Sequence, residues 1–432
     1  MKKHTSSHHP QKTTHPKKHP PTKKPTPSPF PQAMDPVFGQ PQPSPDPSSF
    51  KTPHPSDSGL YKKVNNSLVQ PIPAARGGAA EPVLTLEEVY GSAGAAKVSA
   101  VQQAGQIVFH SVGDTGSVIG PKSETLVADK MVSDFSESSA ADVPSFFFHL
   151  GDVVYSFGEA KYYYDQFYAP YREYQGPIVA IPGNHDGLVY TGDAAPSLDA
   201  FLRNFCADAP THTSDAGGLL RTSMIAPGVY FTFDAPFVRI LGVYSNVLED
   251  PGVISSEGGT RPLSDVQLNF LEAALTRCKT ENYTGAVIIA VHHPPYTGGV
   301  THGGSPRMSQ DIDTAAQSAG FWPHAIFSGH AHNYQRYTRT VNNMQIPYLV
   351  CGSGGHALAR MRTGANGNTL RTPYPIDNTL TLESYDDMNY GYLRVVVNAQ
   401  TMRVEYHPAY DSSTVKTPDD QVTINLAART IS

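Results

Sequence analysis

Apolar, β-branched runs of four to seven residues recur along most of the chain, and each stops at glycine or polar residues. QIVFHSV (106–112) runs into GDTG, PSFFFHL (144–150) into GDVVY and PIVAIP (177–182) into GNHD. GAVIIAV (285–291) runs into HHPPY, and HAIFS (324–328) into GHAHNYQR. Short runs without polar alternation predict strands buried on both faces, as in a parallel sheet. Helical patterning separates them at 84–91, 123–135, 160–174 and 264–278, the last opened by Ser264 as N-cap. Residues 228–247 predict strand, turn, strand, and 346–355, 391–398 and 402–408 read as further strands. This alternation implies an α/β fold, with helices on both faces of the sheet and mixed strand directions toward the end. Two segments, about 187–228 and 357–388, are too long for plain connections and predict lids or rim loops.

Charge and proline divide the chain. Residues 1–75 hold 17 of the 38 prolines, six of the 18 histidines and ten basic residues against three acidic ones. The remainder is acidic, with 22 basic residues against 35. A segment so poor in apolar residues cannot offset its ordering entropy. Residues 1–78 are therefore expected to be a disordered tail, and 79–432 one folded domain with its core at about 106–410. His4, His8, His9, His15 and His19 leave the tail two roles, a metal-collecting or anion-binding arm and a solvated linker. No apolar run follows Lys2 and Lys3, so no secretory signal is read; a cytoplasmic location is the default expectation, with export left open. No stretch of about 20 apolar residues suggests a spanning helix. Three cysteines build neither a disulfide framework nor a zinc pattern, and one disulfide among Cys206, Cys278 and Cys351 stays open. The acidic body argues against specific nucleic-acid binding. Nothing in the sequence speaks to oligomeric state.

Open α/β sheets bind ligands beyond the carboxyl ends of their strands. Here those ends carry Asp114, then Asp152 with Tyr155, Asn184 with His185, His292 with His293, and His330 with His332. These are hard oxygen and borderline nitrogen donors, with no cysteine among them, so a soft-metal structural site is disfavoured. His330 and His332, two apart on an extended chain, face the same side. Each residue has an ordinary alternative role. Asp114 and Asn184 suit turns or caps. Tyr155 suits core packing beside Phe147, Phe157, Tyr162, Tyr163 and Tyr164. Five such strand ends in one chain outweigh those alternatives. His110 and His149, inside strand patterns, read as buried, hydrogen-bonded core residues.

In this order, G-D-x-G, G-D-x-x-Y, G-N-H-D, H-x-P and G-H-x-H resemble the motifs of the calcineurin-like metallophosphoesterases over about 106–337. More narrowly, they resemble the purple acid phosphatases of single-domain, bacterial type. Tyr155 stands three residues after Asp152, and GDTG has Gly116 where most of the broader superfamily has a histidine. The resemblance implies a four-layer α/β/β/α sandwich of two mixed sheets around two metal ions. Asp114, Asp152, Tyr155 and His332 would bind the first, and Asp152, Asn184, His292 and His330 the second, with Asp152 bridging. It implies Fe(III) at the tyrosinate site and Zn, Mn or Fe(II) at the other. The implied activity is that of an acid phosphatase on small phosphomonoesters, a metal-bound hydroxide attacking phosphorus in line. A phosphodiesterase on nucleotide or phospholipid-headgroup substrates shares that metal core. A metal-dependent binding protein without catalysis is the alternative of another class. His185 and His302 are candidates for protonating the leaving group or stabilising the transition state. His293 is substrate-facing or stands behind the ligands. Asp186 either orients His185 or caps the next turn, Arg307 binds phosphate or makes a surface salt bridge, and Arg336 reads as a structural ion-pair partner. G-S-G-G at 352–355 lacks the Lys-[ST] of a P-loop and reads as a tight turn beside the site. The additional β-sandwich of plant-type relatives has no room ahead of the first strand.

Overall fold

The computed structural model of the chain describes residues 72–118, 120–189, 195–245, 252–258, 264–363, 369–410 and 417–432. The strands of its first half are β1 (Val83–Thr85), β2 (Gln106–Val112), β3 (Phe147–His149), β4 (Ile178–Ala180), β5 (Phe231–Ala235), β6 (Val238–Val243), β7 (Ala286–Val291) and β8 (Ala325–Ser328). There follow β9 (Tyr334–Val341), β10 (Met344–Cys351), β11 (Tyr374–Pro375), β12 (Leu380–Asp386), β13 (Gly391–Asn398), β14 (Thr401–Pro408), β15 (Asp420–Asn425) and β16 (Thr430–Ile431). They form two mixed sheets, ordered β1-β5-β6-β7-β8-β10-β9-β12-β11 and β16-β15-β14-β13-β2-β3-β4.

The apolar runs found in the sequence are the parallel centres of these sheets. β2, β3 and β4 pair in parallel with Val112 opposite His149 and His149 opposite Ala180, so their carboxyl ends are level. β6, β7 and β8 are parallel in the other sheet. Phenylalanines fill the space between sheets: Phe146 meets Phe233 with ring centroids 4.8 Å apart, and Phe148 lies 6.3 Å from Phe231. Helices Gly94–Ala104 and Lys122–Ser133 cover one sheet, while Val266–Thr280 and Pro306–Ala319 pack together over the other. This is the expected α/β/β/α arrangement. No described helix is long and apolar enough to cross a membrane.

Several details differ from the expectation. The tail assigned to 1–78 lies outside the described residues as far as 71, but 72–78 pack on the body. Ala75 is buried in the core, and Arg76 donates to the Cys206 and Ile225 carbonyls. The segment 160–174 is not one helix; it is a 3-10 turn at Ala160–Tyr162 followed by a π-helical turn at Tyr164–Tyr168. Tyr162, Tyr163, Phe167, Tyr168, Tyr171 and Tyr174 are all buried, which leaves no solvent face for a regular amphipathic helix. Asp265, not Ser264, occupies the N-cap of Val266–Thr280, and its carboxylate accepts from the Ser256 amide and hydroxyl instead. All three cysteines are free thiols.

Candidate metal centre

The carboxyl ends of β2, β3, β4, β7 and β8 converge where the two sheets meet. Asp114, Asp152 and His330 there take left-handed backbone conformations, with φ of 57°, 54° and 67°. Such angles turn the chain sharply at the strand end and swing each side chain inward. Gly151, at φ 95°, permits the same turn. A Cβ on it would lie 2.6 Å from the Gly183 nitrogen and 2.8 Å from His292 Nδ1.

The seven predicted ligands come together. The Tyr155 hydroxyl lies 3.0 Å from Asp114 Oδ1, 3.0 Å from Asp152 Oδ2 and 3.3 Å from His332 Nε2. His332 Nε2 is 3.4 Å from Asp114 Oδ1. On the other side, His292 Nε2 lies 3.2 Å from Asp152 Oδ2 and 3.1 Å from Asn184 Oδ1. Asn184 Oδ1 also meets His330 Nδ1 at 3.0 Å. Asp152, His292 and His330 offer ligand atoms all within 4.8 Å of one another.

The donor set suits cations. Two carboxylates and a phenol oxygen crowd together in a buried space, with the imidazoles of His292, His330 and His332 around them. Burial, then Asp114 and Asp152, push the Tyr155 phenol well above its usual range, so it acts as a hydrogen-bond donor to those carboxylates. His292 shows the same demand for positive charge. Burial opposes its protonation, but Asp152 and Asp114 outweigh burial and raise it to about 9. Burial would likewise raise the Asp152 carboxyl, yet His292 and His185 hold it below its ordinary range. His292 donates from Nδ1 to the Leu150 carbonyl at 2.8 Å, and His332 from Nδ1 to the Ala357 carbonyl at 3.1 Å. Each bond fixes the ring and leaves Nε2 for the site.

Tyr155 is held from behind. Gln166 Oε1 accepts from the Tyr155 amide at 2.8 Å, and its Nε2 donates to the Tyr155 carbonyl at 2.9 Å. Gly116 explains how the ring fits. A Cβ there would lie 2.6 Å from Gln166 Oε1 and 3.1 Å from Tyr155 Cδ2, so a histidine at this position excludes the tyrosine.

The candidate acids separate into different settings. His185 is partly buried; Nδ1 donates to the Ser156 carbonyl at 2.7 Å, and its ring lies 4.2 Å from that of Tyr155. His302 is partly buried on the rim, 4.3 Å from the His330 ring and 5.0 Å from that of His332. His293 is fully buried against His330, ring centroids 4.2 Å apart, with Nδ1 2.8 Å from the Ser245 hydroxyl and Nε2 without a hydrogen-bond partner. Asp186 does not orient His185. Its carboxylate accepts from the amides of Gly183, Val153 and Val154, tying the Asn184 and Asp152 turns together. Arg307 pairs with Asp311 and Glu257, and Arg336 with Asp420. His110 and His149 are buried and bonded to Asp134 and Thr115. The G-S-G-G turn packs on the Asp114 loop, Gly354 donating to the Gly113 carbonyl at 3.2 Å.

Sequence reasoning missed His356, Gln166 and Ser245. His356 follows β10, a further strand end at the site, as a lone histidine after a glycine-rich turn; that position was its signal. The segment 187–228 carries helix Asp199–Phe205, whose Phe205 packs 5.2 Å from Phe167. Its first residues and the loop at 157–161 line a cleft of about 340 Å³ beside Asp186, with Phe157, Lys161, Leu188, Pro196 and Leu198 in its walls.

Two mixed sheets with acids, an amide and imidazoles gathered at their facing strand ends define the metallophosphoesterase type of α/β sandwich. The chain matches the model of the calcineurin-like phosphoesterases over residues 112–334, just over half its length, and belongs to that family. No curated protein matches it. Among solved structures, it is similar to purple acid phosphatase PPD1 from yellow lupin (Lupinus luteus) seeds, at 18% identity and a TM-score of 0.50. That match covers 74% of this chain and 54% of the lupin chain, so this chain spans about half the length of that relative. GAP50, the anchor in the inner membrane complex of Plasmodium, matches at 13% identity and a TM-score of 0.48, over 74% of this chain and 88% of that one. PhoD matches at 14% and 0.45, over 76% and 71%. At these identities the likeness is one of fold.

Proposed function

We propose that the chain is a dinuclear metal-dependent phosphatase of the purple acid type, hydrolysing small phosphomonoesters. One observation carries the reading: the Tyr155 hydroxyl sits 3.0–3.3 Å from Asp114, Asp152 and His332, while a second donor set shares Asp152. Asp114, Asp152, Tyr155 and His332 would hold Fe(III), since carboxylate and phenolate are hard anionic donors. Asp152, Asn184, His292 and His330 would hold Zn, Mn or Fe(II). Such a pair, when bound, supplies a water of lowered pKa and a positive clamp on phosphate oxygens.

The protein's own groups do the rest. Asp152, shared by both donor sets, fixes their separation. His185, held through Nδ1 by the Ser156 carbonyl, presents Nε2 to a phosphoryl oxygen. His302, on the open side of the ligand histidines, delivers the proton to the leaving oxygen. The region from residue 72 onward forms the catalytic domain. The test is to purify the protein, measure its metal content and visible spectrum, and compare an aryl phosphate with its diester. Two metals per chain, a tyrosinate–Fe(III) band and preference for the monoester are expected. A colourless, iron-loaded protein removes the purple assignment, and preference for the diester removes the monoester one.

A further inference from the structure

We propose that His356 is a positioning residue for Tyr155, setting the angle at which the phenol oxygen meets iron; this rests on Tyr155 being a metal ligand. The His356 ring lies flat on the Tyr155 ring, with centroids 3.8 Å apart and planes 15° from parallel. It meets the His332 ring at 4.6 Å and 66°. One imidazole thus touches two of the four side chains assigned to the iron.

The ring is anchored to the turn that carries a third. Its backbone amide donates to the Asp114 carbonyl at 2.9 Å, and Nδ1 donates to the Gly116 carbonyl at 3.2 Å. Gly116 is also the residue whose missing Cβ makes room for the Tyr155 ring. Tyr155 is therefore held at two places. Gln166 fixes its backbone, and the flat contact with His356 fixes the plane of its ring and blocks the Cα–Cβ rotation that would swing the hydroxyl. Aromatic faces in such contact have a preferred offset geometry, so the stack is directional as well as apolar. A phenolate's charge-transfer energy depends on its angle to the metal and on the polarity against its face, and His356 sets both.

The experiment uses the full chain loaded with Fe(III), comparing wild type, His356→Ala, His356→Phe and Tyr155→Phe. The readouts are the maximum of the tyrosinate–iron band, iron affinity by competition with a chelator, and a thermal melt. His356→Ala is expected to shift the band and weaken iron about tenfold, as removal of a residue behind a metal ligand commonly does. His356→Phe, which keeps an aromatic face on Tyr155, is expected to restore most of both. A folded alanine variant matching wild type in band and affinity overturns the proposal. Should that variant fail to fold, His356→Asn replaces it: Asn shifted and Phe near wild type supports the role, and no difference between them overturns it. A wild-type protein without the band, or a band that survives Tyr155→Phe, overturns the tyrosinate reading and the role of His356 with it. A wild-type band lost in Tyr155→Phe but unmoved in every His356 variant overturns the role of His356 alone.

Discussion

Replacing Gln166 with leucine should strip Tyr155 of its backbone support while nearly conserving volume. Gln166 is 2% exposed, and its amide closes on both polar groups of the Tyr155 backbone, at 2.8 Å and 2.9 Å. Leucine fills a similar space, so overpacking and cavity terms are small. What remains is one buried N–H and one buried carbonyl without partners, each costing about 1–3 kcal/mol. The expected loss is therefore about 2–6 kcal/mol, read from urea unfolding as a lower midpoint at unchanged slope. Gln166→Glu divides the two bonds. It keeps an acceptor for the Tyr155 amide but turns an oxygen toward the Tyr155 carbonyl, so only the protonated acid can donate. Its folded pKa is then raised above the unfolded value of about 4.3, and its stabilisation is complete below that pH and lost as pH rises through the folded pKa. A Gln166→Leu loss under about 0.5 kcal/mol, or a Gln166→Glu variant indifferent to pH, would refute the clamp.

Gly116→Ala places a methyl 2.6 Å from Gln166 Oε1 and 2.7 Å from the Val153 carbonyl. It should cost about 1–3 kcal/mol and reduce tyrosinate colour per iron, measured by thermal melting and visible absorbance. Asp152→Asn should lose metal and turnover together, because both donor sets share that carboxylate; near-normal aryl phosphate hydrolysis with full metal content would overturn the assignment. Glu405 gives a pH test away from the site. Burial would raise its carboxyl, but His407, Arg403 and Arg394 outweigh that and hold it at about 2, against 4.5 ordinarily. A depressed folded pKa means stabilisation complete above pH 4.5 and lost as pH falls toward 2, about 3 kcal/mol in all. Glu405→Gln should be less stable at neutral pH and flatten the acid limb of the stability profile, followed by urea titration.

The legible part of the fold was its parallel centre. Strands buried on both faces leave continuous apolar runs, and each ended in a residue whose chemistry differs from its neighbours. Elements whose signal is spread thin were missed. Helix Pro306–Ala319 has Ser305 accepting from the Met308 amide, a proline in its first turn, and buried Met308, Ile312, Ala315, Ala316 and Ala319. Its alanine-rich face is weakly hydrophobic, and the loop before it carries the more conspicuous His302. β9 was hidden because Tyr334–Val341 alternates tyrosine with arginine and glutamine, whose polar ends pair beyond the strand, as Arg336 does with Asp420. For His356 the strand-end position was the only trace in the sequence, and the parts that it and Gln166 play were not legible at all. Their roles exist only through contacts with Tyr155, at sequence distances that no local pattern spans.

The left-handed residues show how the site is paid for in backbone terms. Asp114, Asp152 and His330 each hold a conformation costing about 1–3 kcal/mol for a non-glycine residue. Two of the three are repaid by bonds that only these turns allow. Asp114 Oδ2 accepts from the His330 amide at 2.8 Å, and Asp152 Oδ1 from the His185 amide at 2.8 Å. The first bond joins the end of β2 to the end of β8, and so ties one sheet to the other at the candidate metal centre. Each aspartate thus has one oxygen committed to the fold and the other within 3.0 Å of the Tyr155 hydroxyl. Under the proposed ligand assignment, that division separates folding from metal binding. Asparagine at 114 or 152 retains one carbonyl oxygen able to accept the amide bond, but removes the anionic charge that a hard cation requires. The turns should therefore survive substitutions that abolish the centre, and loss of metal should not by itself release the two sheets.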